Sequence, residues 1–246
     1  MRIARDRQKI STRFWLLFAC SIVPHAIAVA RPSLSAQTDA MTVQSSPADI
    51  IATYDRVAAD YQSQRNRSLV EKPILDRMLG VTPRNLSPRR LLDLGCGPGA
   101  PIATYLAERG MAITGVDGAA AMVNLFAQTL PNATAVHADM RTLDLGETFD
   151  AILAWDSFFH LSPHDQRAMF AVFQAHAAPK ASLMFTSGHI AGEVWGHAAG
   201  APVYHSSLDP DDYRDLLTTH GFKVIEYRPE DPTCDFHTIW LARYTG

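Results

Sequence analysis

The sequence predicts an α/β protein, a doubly wound parallel sheet with helices on both faces. Three observations predict it. From residue 90 onward, short apolar runs alternate with longer segments of helical period. A glycine-dense turn, Gly95-Cys96-Gly97-Pro98-Gly99, joins the first of these runs to the first of these helices. After the last helix candidate come two apolar runs in succession, which fit an antiparallel pair at the sheet edge.

Ahead of the sheet, 48–62 carries Ile50, Ile51, Tyr54, Val57, Ala58 and Tyr61 at helical spacing. A second helix is expected over 70–79, with Pro73 near its start, where a missing N–H costs nothing. Two prolines make 82–90 a loop. Strands are expected over 90–94, 112–116, 133–137, 149–154 and 182–186, and helices over 100–109, 119–130, 163–177 and 209–220. Pro163 suits a first helical position, and Gly221 suits the left-handed residue that closes a helix. The closing strands are expected over 223–228 and 237–244, with Pro229 and Pro232 in the loop between them. A long insertion after the fifth strand includes Gly192-Glu193-Val194-Trp195-Gly196 and Val203-Tyr204-His205-Ser206-Ser207-Leu208.

The chain has 246 residues, 47% apolar and 19% charged, enough for one domain with a sizeable core. Its net charge of −3 comes without a sustained basic stripe, so nucleic acid is not the expected partner. Three cysteines, Cys20, Cys96 and Cys234, make no disulfide framework. CxxC spacing does not occur, and the lone HxxxH pair, His160 and His164, makes no ligand set, so no metal site is indicated. Cys96 sits where the glycine turn needs a small side chain, and packing accounts for it.

Residues 1–45 differ from the rest. Arg2, Arg5, Arg7, Lys9 and Arg13 precede an apolar stretch over 14–30, and Ala28-Val29-Ala30 has the form of a cleavage site. Six Lys and Arg against two Asp give this leader a charge of +4, which leaves −7 for the remainder. Pro24 interrupts the apolar run, against a membrane-spanning helix. Either the protein is exported and loses its leader, or translation starts at Met41. The second is expected, with a cytoplasmic domain over 46–246 and no stable membrane association, as monomer or homodimer.

Glycines at a strand-to-helix turn remove the Cβ atoms that would keep a ligand from the backbone. The helix that follows points N–H groups at the same place. A nucleoside-bearing cofactor is therefore expected there. Gly95, Gly97 and Ala100 formally meet the dinucleotide pattern G-x-G-x-x-G/A. Three features argue against NAD: Asp93 two residues before the first glycine, the G-x-G-x-G form given by Gly99, and a later acidic signature, Ala138-Asp139-Met140. Gly115-Val116-Asp117 ends the second strand roughly twenty residues on, where an acid can accept from both ribose hydroxyls.

Asp93-Leu94-Gly95-Cys96-Gly97-Pro98-Gly99, Asp117 and Asp139 together resemble the class I S-adenosylmethionine-dependent methyltransferases of small molecules, from about Ser46 to the C-terminus. The resemblance implies a Rossmann-like sheet of seven strands ordered 3-2-1-4-5-7-6, the seventh antiparallel, with N-terminal helices as a lid. It implies S-adenosylmethionine as cofactor, held by Asp93, Gly95, Cys96, Gly97, Gly99, Asp117, Met122 beside the adenine, Asp139 on the adenine amino group and the Met140 backbone. Ile50-Ile51-Ala52-Thr53-Tyr54-Asp55-Arg56-Val57-Ala58-Ala59-Asp60-Tyr61 resembles the Y-D-x-x-A-x-x-Y opening of such enzymes, which sets Tyr61 or Tyr54 near the methionine part.

The stretch 149–161 resembles the fourth motif region of these enzymes, where a strand ends beside the sulfonium. Trp155, Phe158 and Phe159 would shield that charge with their ring faces, with core packing expected for at least one of the phenylalanines. His160 is the expected general base, because histidine titrates near neutral pH; His189, His205 and His237 are its rivals. The acceptor is expected among Phe159, His189, Tyr204, His205 and His237, because insertions over a rigid scaffold carry specificity. The reaction expected is methyl transfer to an O or N atom of a small molecule. The alternatives are a protein that binds S-adenosylmethionine without methylating and an NAD-dependent oxidoreductase; the latter lacks a Tyr-x-x-x-Lys pair.

Overall fold

The computed structural model describes residues 44–84 and 88–246. The basic leader, with Cys20 and Met41, lies outside the described residues. A 3-10 turn, Pro47–Asp49, opens into α1 (Ile50–Gln64). Ser46 and Asp49 form a reciprocal capping box over that turn. α2 (Lys72–Val81) follows, with Pro73 in its first turn.

The sheet then assembles from β1 (Arg89–Leu94), β2 (Met111–Asp117), β3 (Thr134–His137), β4 (Phe149–Ala154), β5 (Ala177–Ser187), β8 (Phe222–Asp231) and β9 (His237–Tyr244). Its helices are α3 (Ile102–Glu108), α4 (Ala120–Thr129), α5 (Pro163–Ala175) and α6 (Pro210–Thr219). A separate hairpin is made by β6 (Gly192–Ala198) and β7 (Ala201–Ser207). The main order is β3-β2-β1-β4-β5-β9-β8. Strands β1 to β5 pair in parallel, and β9 runs antiparallel to both β5 and β8. Numbered within this sheet alone, that is the expected 3-2-1-4-5-7-6, with the last strand reversed.

Alternation along the strands builds the two layers. On β4, Ile152 and Ala154 face α5 and α6 with Leu92, Leu94, Leu183, Phe185 and Trp240, against Met169, Phe170, Phe173, Tyr213 and Leu217. Ala151 and Leu153 face the other way with Leu91, Ile113, Met184 and Leu241, against Ile74, Leu75, Met78 and Leu106. Because β4 is buried on both faces, it reads as an apolar run broken only by Asp150. Ser162 caps α5 and Asp209 caps α6, each accepting a backbone N–H, with a proline at the next position. Gly221 closes α6 at φ +77°.

Two expectations need correction, and the insertion acquires a defined form. The helix after the glycine turn begins at Ile102 rather than at residue 100, because Pro101 carries no N–H and stands outside it. It spans only Ile102–Glu108. The insertion is ordered as the β6–β7 hairpin, turned at Ala199 and Gly200, both at positive φ. Finally, β8 continues through Pro229 to Asp231, since an edge strand tolerates a missing N–H on its outer side. Among the described residues no helix is long and apolar enough to cross a membrane.

Candidate functional site

At the carboxyl ends of β1, β2 and β4 lies a cleft of about 730 Å³, open solvent at its mouth included. This is where open α/β sheets take ligands. Its walls come from α1 (Tyr54, Tyr61), the glycine turn (Gly95, Gly97), the end of β2 (Asp117, Gly118), α4 (Met122), the turn after β3 (Asp139, Met140, Arg141) and the segment after β4 (Asp156, Ser157, His160, Leu161). A second cavity of about 430 Å³ adjoins it, lined by Arg65, Asp93, Cys96, Gly99, Ile102 and Trp155 among others. Tyr61, Gly95, Gly97 and Asp156 line both.

The turn is fixed from below and from the side. Gly95 and Cys96 donate their N–H groups to the Val116 carbonyl at 2.8 and 3.1 Å. Gly95 stands at φ +70°, and a Cβ there would lie 2.2 Å from Ser157 Cβ. Ser157 in turn donates to the Leu94 carbonyl at 2.6 Å. At Gly97, φ +52°, a Cβ would meet nothing within 4 Å. Asp117 accepts from the N–H of Gly97 (3.0 Å) and of Ala119 (2.9 Å), tying β2 to the turn. Burial raises its carboxyl pKa, and the two N–H groups oppose that rise. Asp93 is buried, and burial with Asp117 nearby pushes its carboxyl up to about 7. Such an acid is stabilised by a cationic partner.

Asp139 accepts from the Arg141 backbone N–H at 2.9 Å and from its guanidinium at 2.5–3.0 Å, which lowers its pKa. Arg141 also reaches Asp165 at 3.5 Å. Met122 is buried with Ala58 and Ala119, flanked by Tyr54 and Tyr61, while still lining the cleft, so it serves packing and wall together. Cys96 lines the second cavity with its thiol pKa raised by burial.

His160 is buried, and its two ring nitrogens have different partners. Nδ1 lies 2.8 Å from the Tyr204 carbonyl, which only accepts, so Nδ1 carries the proton. Nε2 lies 2.9 Å from Tyr54 Oη and therefore accepts from that phenol. Burial holds the imidazole neutral, with its pKa lowered to about 4. His205 sits beside it at 4.7 Å between ring centres, lowered to about 3 by burial and by His160.

The expected acceptor residues separate. Phe159 packs edge-on against both His160 and His205 at 4.9 Å, and Phe158 belongs to the core among Phe170, Phe173, Phe185 and Tyr213. The Tyr204 ring is buried against Trp195, and its contribution is the backbone carbonyl. His189 stands at the end of β5, 3.5 Å from Glu230, and lines neither cavity. His237 also lines neither; it sits behind Trp155 and Asp156. Both therefore fall outside the cleft wall, because their strand ends face the β8–β9 side. Residues that the sequence reading did not assign are Asp156, which accepts from Arg65 (3.4 Å) and His237 (2.9 Å), and Arg65 itself. Their partners lie 91 and 81 residues away along the chain, where no local motif joins them.

Comparison with known proteins agrees with this geometry. Residues 91–180 match the model of a family described as a methyltransferase domain. The trans-aconitate 2-methyltransferase of Klebsiella pneumoniae (strain 342) is 28% identical over 165 residues, which cover 63% of this chain and 63% of that protein's length. Two solved structures share the fold. One is the magnesium protoporphyrin IX methyltransferase of Synechocystis PCC 6803 with bound S-adenosylmethionine (TM-score 0.62, 15% identity, 83% of this chain and 99% of that one). The other is the 1,6-didemethyltoxoflavin-N1-methyltransferase of Burkholderia thailandensis (TM-score 0.59, 19% identity, 91% and 99%).

Strand order and the likeness to these structures define a class I methyltransferase fold, and the cleft lies at its β1–β2–β4 ends. Over residues 91–180 the chain is similar to the methyltransferase domain of such enzymes, and the stretch it shares with the Klebsiella relative spans less than two thirds of that protein's length. The residues present fit S-adenosylmethionine as cofactor: a turn cleared of Cβ atoms, an acid at the end of β2, and a buried acid at β1 that favours positive charge.

Proposed function

We propose that this chain transfers the methyl group of S-adenosylmethionine to an oxygen or nitrogen atom of a small molecule, in the cytoplasm, through the domain 46–246. The observation that carries the reading is the cleft that joins the glycine turn and Asp117 at one end to Tyr54 and His160 at the other. When bound, S-adenosylmethionine supplies an electrophilic methyl group on a cationic sulfur. Asp117 would hold the ribose hydroxyls, Met122 and Asp139 the adenine, and Gly95, Gly97 and Tyr61 the region between.

The chain's own work is positioning and proton removal. Holding a nucleophile in line with the methyl carbon can supply about 7–11 kcal/mol of the barrier. The neutral His160 offers its Nε2 lone pair to Tyr54, and Tyr54 lines the cleft. An acceptor proton would pass to Tyr54 Oη as the phenol proton passes to Nε2, and would return to water by the same route.

The wall also bears on the acceptor. Pro47, Ile50, Tyr54, His160 and Leu161 are neutral, and the charged lining residues are three acids, Asp117, Asp139 and Asp156, against Arg141, which is committed to Asp139 and Asp165. This favours a neutral or cationic, partly apolar acceptor over a polyanion of the kind that names the Klebsiella relative. Calorimetry with S-adenosylmethionine and with NAD, using Asp117→Ala as control, tests the cofactor. Mass spectrometry of a panel of phenols, amines and carboxylates tests the acceptor. NAD binding, or methylation confined to polycarboxylates, would overturn the reading.

A further inference from the structure

The second cavity carries a charge arrangement that the nucleoside does not need. His237 Nδ1 lies 2.7 Å from the Cys234 carbonyl, and Nε2 lies 2.9 Å from Asp156 Oδ1. Both partners only accept, so both nitrogens must donate, and the ring is an imidazolium. It packs against Trp155, tilted by 34°, at 5.0 Å between ring centres. Asp156 lines both cavities and also accepts from Arg65 at 3.4 Å, and Arg65 reaches Glu71 at 3.7 Å. Asp156 is held at φ +50°, a left-handed conformation that a non-glycine residue adopts at a cost. Trp155 lines the second cavity, is 5% exposed, and has an indole N–H that is buried without a partner. A buried donor left unpaired points to a ligand acceptor.

We propose that His237 is a positioning residue: through Asp156 it sets the second cavity to take the zwitterionic amino acid end of the cofactor. This rests on the methyltransferase reading above. The cavity offers acids, Asp93 and Asp156, to an ammonium, and Arg65 with the Trp155 N–H to a carboxylate. Without its cation behind it, Asp156 would face Arg65 alone and swing toward it, leaving the ammonium side without its fixed acid. Among the groups that face His237 are Asp156 just past β4, Glu71 before α2, the Cys234 carbonyl and the Trp155 ring. The acids outweigh the desolvation that would otherwise lower its pKa, and raise it to about 9.

The test compares two ligands by calorimetry on the full chain. S-adenosylhomocysteine carries the amino acid end, and 5′-methylthioadenosine has the same nucleoside and thioether without it. His237→Gln is expected to weaken S-adenosylhomocysteine at least tenfold at pH 7 and to change methylthioadenosine less than twofold. The gap in affinity between wild type and His237→Gln is expected to close as pH rises through about 9, because the ligand's own ammonium titrates in both proteins alike and only the wild type also loses its imidazolium. Should that variant not fold, Trp155→Phe and Arg65→Gln are expected to give the same split between the ligands. Equal loss of both ligands, or no loss of either, in the folded variants would overturn the proposal. Failure of the wild type to bind either ligand would overturn the methyltransferase reading itself, a separate result.

Discussion

Tyr54 and His160 lie 106 residues apart in the chain and meet at 2.9 Å, phenol to Nε2. The tautomer that permits this is imposed from the opposite side of the ring by the Tyr204 carbonyl. Both rings line the cleft, and the Nε2 lone pair of the imidazole is engaged by the phenol.

Removing either partner should separate chemistry from binding. Tyr54→Phe keeps the ring and its edge contact with Tyr61 but loses the hydroxyl. With an acceptor that must lose a proton, kcat is expected to drop by about 10²–10⁴ in Tyr54→Phe and His160→Gln, with cofactor affinity within a few-fold of wild type. With a carboxylate acceptor, already ionised, neither change should matter. A phenol acceptor turned over at the wild-type rate by both variants would remove the pair from the mechanism.

Asp117 is expected to be the most damaging single loss for cofactor binding. Its two oxygens hold the N–H groups of Gly97 and Ala119, so Asp117→Ala loosens the turn as well as removing a ligand group. Hydrogen bonds to a charged group are worth roughly 1.5–3 kcal/mol, about 10- to 150-fold in Kd. Calorimetry with S-adenosylhomocysteine reads this directly, and an unchanged Kd would discard the assignment.

Two glycines of the turn should respond unequally to alanine. Gly97→Ala carries the backbone penalty of a left-handed residue, about 1–2 kcal/mol, with open space for the methyl group. Gly95→Ala carries the same penalty and also drives a methyl into Ser157, whose hydroxyl anchors the segment after β4 to Leu94. Thermal melts should rank Gly95→Ala well below Gly97→Ala. The reverse order would mean that the turn is not built as described.

Stability should pass through a maximum close to pH 6.5–7. The folded-state pKa of His160 is depressed to about 4 and that of His205 to about 3, against about 6.5 unfolded. As pH falls from 6.5 toward these values the unfolded chain gains protons that the folded chain refuses, and stability is lost. His237 is shifted the other way: its contribution is full below about 6.5 and gone once pH has risen through about 9. Urea midpoints measured against pH should show both limbs. His237→Gln should flatten the alkaline limb alone, and a variant that keeps it would assign that limb to other groups.

The sheet was legible where burial is continuous. The spans 149–154 and 237–244 match β4 and β9 to the residue, because apolar runs packed on both faces have sharp ends. Legibility fails where local chemistry disagrees with tertiary context. Pro179 and Lys180, the latter at φ +67°, hid the first half of β5, and the edge position of β8 excuses Pro229. The β6–β7 hairpin lacks a clean alternation, since most of β6 is exposed or half-buried. In the site, Gly95, Gly97, Asp117 and Asp139, all read from local motifs, line one cleft. Arg65 and Asp156 stayed hidden, and His237 was read without them, because their link is a network of charges from three distant segments.

The β6–β7 hairpin makes no ladder with the main sheet. It is fastened instead by Gln166, which bonds Ser206 and Leu161 and accepts from Tyr213, and by the Trp195 indole on the Ser45 carbonyl. What it lends to His160 is a main-chain oxygen, which substitution of its own residue does not remove. The outward side chains of the hairpin can therefore drift through evolution, retuning what enters, while the histidine keeps its proton on the same nitrogen.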